Sequence, residues 1–199
     1  MSAQRRECFE QFQRTCGCRV VLVTKDNLHH LVLPEAPLHP AYEYLSETHK
    51  ADYLRTYLMH FYGGGYSDIK KTRGSWVKCF EDLRQSDAWL CGYQEYAGGV
   101  GWPPYAEFWS DLVGNGAYIC KPGTPLTTHW YNEMIAVLDK KLPELRENPA
   151  KFPQDVKSET SNYPLGWTEI LGQIFHRVCY DYKDRLLKTL PYSVFHGYR

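Results

Sequence analysis

The chain has 199 residues, and its 23 basic residues balance its 23 acidic residues. A balanced charge offers no broad surface for a polyanion, which excludes a nucleic-acid-binding protein held mainly by phosphate contacts. This length can bury the core of one domain, so we expect a single compact domain over residues 1–199.

The sequence also predicts where the chain resides. Residues 1–7 are polar and lack the apolar centre of a signal peptide. No run approaches the ~18–20 apolar residues that span a bilayer, so we expect no transmembrane segment. The seven cysteines follow neither a disulfide-scaffold nor a zinc-site spacing. We therefore expect a soluble, cytoplasmic or cytosol-facing protein with free thiols.

The first predicted elements are typical of an α/β domain. Composition predicts a helix from about Ala3 to Arg14. The run from Cys18 to Thr24 is β-branched and apolar on both faces, which predicts a buried parallel strand. A brief helical turn is expected at Leu28 to Leu33, and prolines then mark an irregular connection.

The next segment is a helix that ends at glycines and turns directly into a strand. Asp52 and Arg55 are three residues apart and share one helix face. The cluster from Gly63 to Gly65 supplies the left-handed residue that closes a helix. Side chains alternate along the following strand, so Tyr66, Asp68 and Lys70 point to one side. Acidic, basic and aromatic groups are thus gathered at one sheet edge.

The second half continues the alternation of helices and strands. Predicted there are a helix capped by Gly74-Ser75, strands within residues 88–93 and 111–122, a helix capped by Thr127 or Thr128, and an amphipathic helix from Trp167 to Val178. On that last helix, His176 falls on the polar side without an evident partner. No linker separates these elements into domains.

The helix–glycine–strand segment resembles the sugar-binding region of GT-A type glycosyltransferases, such as initiating mannosyltransferases, capsular polysaccharide transferases and glucosylating toxins. Their pattern is (Ser/Ala)-Asp-x-x-Arg, an apolar helix, Tyr-Gly-Gly, then an aromatic residue and Asp-x-Asp. The matching segments are Ala51–Arg55, Tyr62–Gly64 and Tyr66–Lys70. The resemblance implies an α/β fold with a central, mostly parallel sheet flanked by helices. Most GT-A domains begin with a strand that precedes the first helix found here.

The resemblance also implies a donor site. In the family, the helix aspartate and the first acid of the pair contact ribose and sugar hydroxyls, which assigns that role to Asp52 and Asp68. Arg55 takes the position of the arginine near the sugar or phosphates, and Tyr66 that of the aromatic near the nucleotide. Asn115 matches an asparagine close to the sugar, although Asn-Gly is equally a plain turn signal. For Asp52 and Arg55 the alternative is an ordinary surface ion pair.

The second acid of the family pair is replaced by Lys70. In the family that acid ligates Mn²⁺ or Mg²⁺, which neutralises the diphosphate. Three interpretations are open: the Lys70 ammonium replaces the metal against phosphate, a metal is held by Asp68 and the phosphates of the ligand, or Lys70 is a solvated strand end in a dead site. We expect catalysis to depend on Asp68, Lys70 and Arg55, with weak dependence on divalent ions or none.

Candidate acceptor residues follow. Trp102 lies in a glycine- and proline-rich loop, where it stacks on a sugar or anchors the loop. Thr168 and Glu169 occupy a helix start that is similar to one beside the family site, with packing as the alternative. His196 lies in a tail similar to family C-termini, with a frayed end as the alternative. The expected activity is sugar transfer from a UDP- or GDP-sugar to a glycan, glycoprotein or glycolipid hydroxyl. The alternative is a non-catalytic nucleotide-sugar or carbohydrate-binding module.

Overall fold

A sheet of four strands, in the order β1–β3–β2–β4, organises the computed structural model, which describes residues 1–198. The strands are β1 (Gly64–Ser67), β2 (Leu90–Gln94), β3 (Val113–Cys120) and β4 (Leu186–Leu187). The helices are α1 (Ala3–Thr15), α2 (Glu47–Phe61), α3 (Val77–Gln85), α4 (Pro125–Glu147) and α5 (Gly172–Asp181). Short 3₁₀ helices cover Leu28–His30, Pro40–Tyr44, Pro103–Asp111 and Lys183–Arg185. The α/β class expected from the sequence is confirmed.

The sheet is mixed, which corrects the expectation of a mostly parallel one. The central strand β3 runs antiparallel to both β1 and β2, and only β2 and β4 are parallel. The reason lies in the connection between β2 and β3. Residues 95–112 reverse the chain between these neighbouring strands, and a reversal of this kind gives antiparallel pairing.

The predicted strand from Cys18 to Thr24 is also corrected. Within residues 1–198 this segment carries no strand assignment, and β1 forms one edge of the sheet. Among the described residues β1 pairs with β3 and not with this segment, which lines a cleft together with β1. Its apolar character instead serves packing, because Cys18 and Val20 lie against an apolar cluster that contains Phe12 and Trp76.

Two apolar clusters cover the sheet, and β3 contributes side chains to both of them. The alternation of side chains along a strand sends neighbours to opposite faces. Tyr118 accordingly belongs to the cluster with α2, α4 and α5, while Ile119 belongs to the cluster with α1 and α3. Burial of both clusters fixes the register of β3, because a shift by one residue would exchange the two faces.

The predicted helix–glycine–strand segment lies at the junction between α2 and β1. Gly63 has a φ of +65° and donates its N–H to the carbonyl of Leu58, which closes the helix as predicted. A Cβ at Gly63 would lie 2.8 Å from the carbonyl oxygen of Cys120, so a side chain is excluded there. β1 therefore starts directly beside the helix end, and residues of the two elements meet.

Three further expectations are revised. The N-cap of α4 is Thr124, whose side chain accepts from the N–H of Thr127, because Pro125 starts the helix there. The last amphipathic helix begins at Gly172, since residues 167–171 form turns. His176 lies on its buried side, with no exposed surface.

No helix within residues 1–198 is long and apolar enough to cross a membrane, and all seven cysteines are free thiols.

Candidate functional site

Four charged side chains meet where α2 faces the end of β1. Asp52 and Arg55 come from α2, and Asp68 and Lys70 follow β1 directly. The structure thus brings together both halves of the predicted motif. Asp52 and Arg55 are 4% and 8% exposed, so they are not the surface ion pair that sequence reasoning kept as an alternative.

Arg55 is the centre of this cluster. Its Nη2 lies 3.2 Å from Oδ1 of Asp52 and 3.3 Å from Oδ1 of Asp68. Its Nη1 donates to the carbonyl oxygen of Asn115 at 3.1 Å. The guanidinium carbon lies 4.2 Å from the ring centroid of Tyr66. Every face of the guanidinium is therefore used, which fixes its position between the two carboxylates.

Lys70 is equally well held. Its Nζ donates to Oδ2 of Asp68 at 2.6 Å, and its side chain is only 12% exposed. The rings of Phe195 and Tyr198 lie 5.1 and 5.0 Å from the ammonium. Lys70 is thus not a solvated strand end. The tail that sequence reasoning associated with the site does reach it, although Arg199 lies outside the described residues.

The donor set at Asp68 does not fit a divalent cation. Oδ1 accepts from the Tyr66 hydroxyl at 2.7 Å and also faces Arg55, while Oδ2 accepts from Lys70. The positive charges of Arg55 and Lys70 therefore already lie where a divalent cation would have to bind Asp68. Among residues 1–198, no group of three or more His, Cys, Asp or Glu side chains is placed to hold a metal.

The two carboxylates differ in proton affinity. Burial raises the pKa of Asp52 to about 6, and the attraction of Arg55 offsets that burial only in part. Burial also acts on Asp68, but Arg55 and Lys70 together outweigh it and hold its pKa below the ordinary value. Asp68 is therefore the stable anion of the cluster. Asp52 is an anion kept at a cost in stability.

We predict that Asp52→Asn stabilises the fold in a pH-dependent way. An acid whose pKa is raised on folding imposes no penalty below its unfolded pKa, 3.8, and a full penalty above its folded pKa, about 6. The expected gain is near zero at pH 3.5 and about 2 kcal/mol at pH 7.5, at ~1.4 kcal/mol per pKa unit with some loss of contact to Arg55. Urea unfolding at both pH values measures it. The control is Asp82→Asn, at a surface pair with Lys78, and an equal gain at both pH values contradicts the prediction.

The charged cluster lies in a cleft of about 960 Å³. Its lining combines aromatic side chains of one apolar cluster, Phe12, Trp76 and Phe80, with the four charged side chains. This volume is at the upper end of the range for small-molecule sites. The cleft therefore has room for a ligand that combines an apolar or aromatic part with an anionic part.

The predicted acceptor residues divide into two groups. Thr168 lines the cleft, together with the predicted donor-binding residues Asn115 and Tyr66. Trp102, Glu169 and His196 do not appear among the described residues of its lining. Trp102 is half-buried and His196 is exposed, while the Glu169 carboxylate accepts from the N–H of Gly166 at 2.8 Å. Glu169 is thereby engaged in holding its own turn.

Sequence reasoning missed two glycines that shape the site. Gly116 accepts from the N–H of Asp68 at 2.8 Å, and a Cβ there would lie 3.3 Å from Oδ2 of Asp68. Gly172 approaches Nδ2 of Asn115, at 3.4 Å from a Cβ position. The Asn115-Gly116 pair, for which a turn was one alternative, is a segment of β3, and Gly116 passes close to the Asp68 carboxylate. A glycine inside a strand was the available signal.

The chain has no counterpart in the comparisons with known proteins. No protein-family model, no curated protein and no solved structure matches it. The candidate site is therefore characterised by its own geometry and by the sequence motif that it assembles.

Proposed function

We propose that the chain is a glycosyltransferase domain of the GT-A type, which moves a sugar from a nucleoside-diphosphate sugar to a hydroxyl acceptor with retention of anomeric configuration. The observation that carries the proposal is the cluster of Asp52, Arg55, Asp68 and Lys70 in a large cleft, where the first two are buried and the other two are partly exposed. Its members are the residues of a motif that resembles the donor site of that family. We propose in addition that the α/β fold described above is of the GT-A type.

The carboxylates serve donor recognition in this proposal. Sugar and ribose hydroxyls are hydrogen-bond donors, and anionic oxygens are their strongest acceptors. Asp52 and Asp68 lie on either side of Arg55, 3.2 and 3.3 Å from its Nη2, so hydroxyls on neighbouring carbons meet acceptors that are already oriented. Asn115 adds an amide at the cleft wall, and Tyr66 covers the guanidinium. Because these groups are held before binding, little conformational entropy is lost.

The cations serve the departure of the nucleoside diphosphate. Charge develops on the diphosphate oxygens as the glycosidic bond breaks, and fixed positive groups in a partly buried site stabilise it. The Arg55 guanidinium, which its protein contacts hold in place, supplies a fixed positive charge, and the Lys70 ammonium supplies a point charge. We propose that these two groups take the role of the divalent ion, since the donor set at Asp68 does not fit one. The acceptor is a glycan, glycoprotein or glycolipid hydroxyl.

A non-catalytic nucleotide-sugar or carbohydrate-binding module is the second candidate. The observation that favours it is the engagement of both Asp68 oxygens by Tyr66 and Lys70. A carboxylate in that state is a weak base for an acceptor hydroxyl. A module would bind the donor in the same cleft without releasing nucleoside diphosphate.

One experiment separates these candidates. Thermal stability is measured with UDP-, GDP- and dTDP-sugars, each in EDTA and in Mn²⁺, and release of nucleoside diphosphate is then measured with the donor that stabilises. A ligand at 100 times its Kd adds about 2.7 kcal/mol of stability. Stabilisation in EDTA with release supports the metal-independent transferase. Stabilisation without release supports the module, and no stabilisation by any donor contradicts both the transferase and a nucleotide-sugar-binding module.

A further inference from the structure

A buried acid–imidazole pair lies outside the cluster described above. His176 of α5 and Glu95, which directly follows β2, have side chains that are 0% and 2% exposed. Nε2 of His176 lies 3.2 Å from Oε2 of Glu95, although the two are out of line for a good hydrogen bond. Nδ1 accepts from the N–H of Gly101 at 3.0 Å. An accepting Nδ1 carries no proton, so a neutral ring carries its proton on Nε2, facing the carboxylate.

The pair fastens both ends of one loop. Oε1 of Glu95 accepts from the N–H of Tyr96 at the start of the loop, and His176 holds Gly101 at its end. Between them, Gly99 donates to the carbonyl of Tyr96 at 2.8 Å. A Cβ at Gly99 would lie 2.3 Å from Oε1 of Glu95, so the loop closes tightly over the carboxylate. Residues 96–101 are thereby tied to α5.

The loop abuts the wall of the cleft. A Cβ at Gly101 would lie 3.3 Å from Cα of Gly172 and 3.6 Å from Cγ2 of Thr168. Thr168 and Gly172 both line the cleft, and Gly172 also adjoins the amide of Asn115. Trp102 is the next residue after Gly101. The loop therefore packs behind Thr168 and Gly172, and its position affects the position of this part of the cleft wall.

We infer that the Glu95–His176 pair is a positioning device that holds residues 96–101 against Thr168 and Gly172 and so sets the affinity for the acceptor. The second half of this inference rests on the proposed transferase function. Burying an acid and an imidazole costs free energy that an apolar pair of similar volume would not. What the polar pair adds is direction, since it bonds two specific backbone N–H groups. Support of this kind fixes the geometry of a neighbouring site.

Two substitutions of His176 separate positioning from mere packing. In His176→Asn the side-chain oxygen can take the position of Nδ1 and accept from the N–H of Gly101. In His176→Gln the longer side chain puts its polar atoms at the position of Nε2, so the N–H of Gly101 loses its acceptor. Measured are amide hydrogen exchange over residues 96–101, the KM for acceptor and the Kd for donor. For His176→Gln we expect exchange about tenfold faster and an acceptor KM about fivefold higher, with an unchanged donor Kd. His176→Asn keeps the bond to Gly101 but loses the contact of Nε2 with Glu95, so it is expected to change both quantities in the same direction but less than His176→Gln.

His129→Gln is the matched control, at a partly exposed histidine on α4, and it should change none of these quantities. If His176→Gln fails to fold, Glu95→Gln replaces it, because the amide keeps the bond to Tyr96 while removing the charge that faces Nε2. Faster exchange over residues 96–101 is then expected, and unchanged exchange overturns the inference. Equal exchange in the asparagine and glutamine variants overturns the inference. Faster exchange with an unchanged acceptor KM overturns its acceptor half. A chain that transfers no sugar at all refutes the proposed function, while the exchange rates still decide whether the pair holds the loop.

Discussion

Replacing Arg55 by methionine is expected to lower the free energy of unfolding by about 3–5 kcal/mol and to abolish donor binding. The guanidinium separates the buried carboxylate of Asp52 from the partly buried carboxylate of Asp68, which lie 3.2 and 3.3 Å from its Nη2. Without it, Asp52 and Asp68 repel each other in surroundings that water screens poorly. The carbonyl of Asn115 also loses its donor. Urea unfolding at pH 7.5 measures the first effect, and donor-dependent thermal stabilisation measures the second.

The chain offers a matched control in Arg177. Its Nη2 lies 2.9 Å from Oε2 of Glu133, but both side chains are about one-third exposed. Exposed pairs contribute at most about 1 kcal/mol, so Arg177→Met should cost no more than that. Arg55→Lys serves if the methionine variant does not fold, because an ammonium keeps the charge without the bidentate fork. A loss below 1 kcal/mol at Arg55 would contradict its role as the centre of the cluster.

The helix–glycine–strand segment could be predicted from the sequence because its signals are local. A glycine with positive φ ends α2, and Tyr66 of β1 meets Asp68 and Lys70, although β1 ends at Ser67 and the chain bends at residues 69–70 where alternation was predicted to continue. Residues three apart on a helix share a face wherever that helix lies. These short-range rules were sufficient to bring Arg55 and Asp68 to one place, and they required no knowledge of the rest of the sheet.

The remaining features depend on contacts between distant parts of the chain. His176 lies on α5 and its acidic neighbour Glu95 follows β2, 81 positions earlier in the sequence, so helix periodicity alone put the histidine on the wrong side. The run from Cys18 to Thr24 has the composition of a strand, but pairing requires an adjacent backbone that composition does not specify. The prediction of a mostly parallel sheet was wrong for the same reason, because the reversal of the chain over residues 95–112 makes β2 and β3 antiparallel. Long-range partners, and not propensities, distinguish these cases.

Lys70→Asp is expected to convert the cluster from metal-independent to metal-dependent. The change removes the ammonium that lies 2.6 Å from Oδ2 of Asp68 and puts a second carboxylate beside the first. Hard oxygen ligands of this kind suit Mn²⁺ and Mg²⁺. In EDTA, release of nucleoside diphosphate should fall by about 10²–10³, the usual cost of removing one preorganised group that stabilises developing charge. Added Mn²⁺ should restore part of the rate.

Two further variants make this result specific. Lys70→Ala removes the ammonium without adding a ligand, so it should lose activity in both conditions. Lys71→Asp places the same acid one residue later, where the native lysine pairs with Glu7 of α1, and should leave the rate unchanged. Thermal stability adds a readout that does not depend on turnover: Mn²⁺ should stabilise Lys70→Asp and leave Lys70→Ala unaffected, because only paired carboxylates bind the ion in the folded state. Equal rates of Lys70→Asp and the unmodified chain in EDTA would contradict the role of Lys70 in place of a metal.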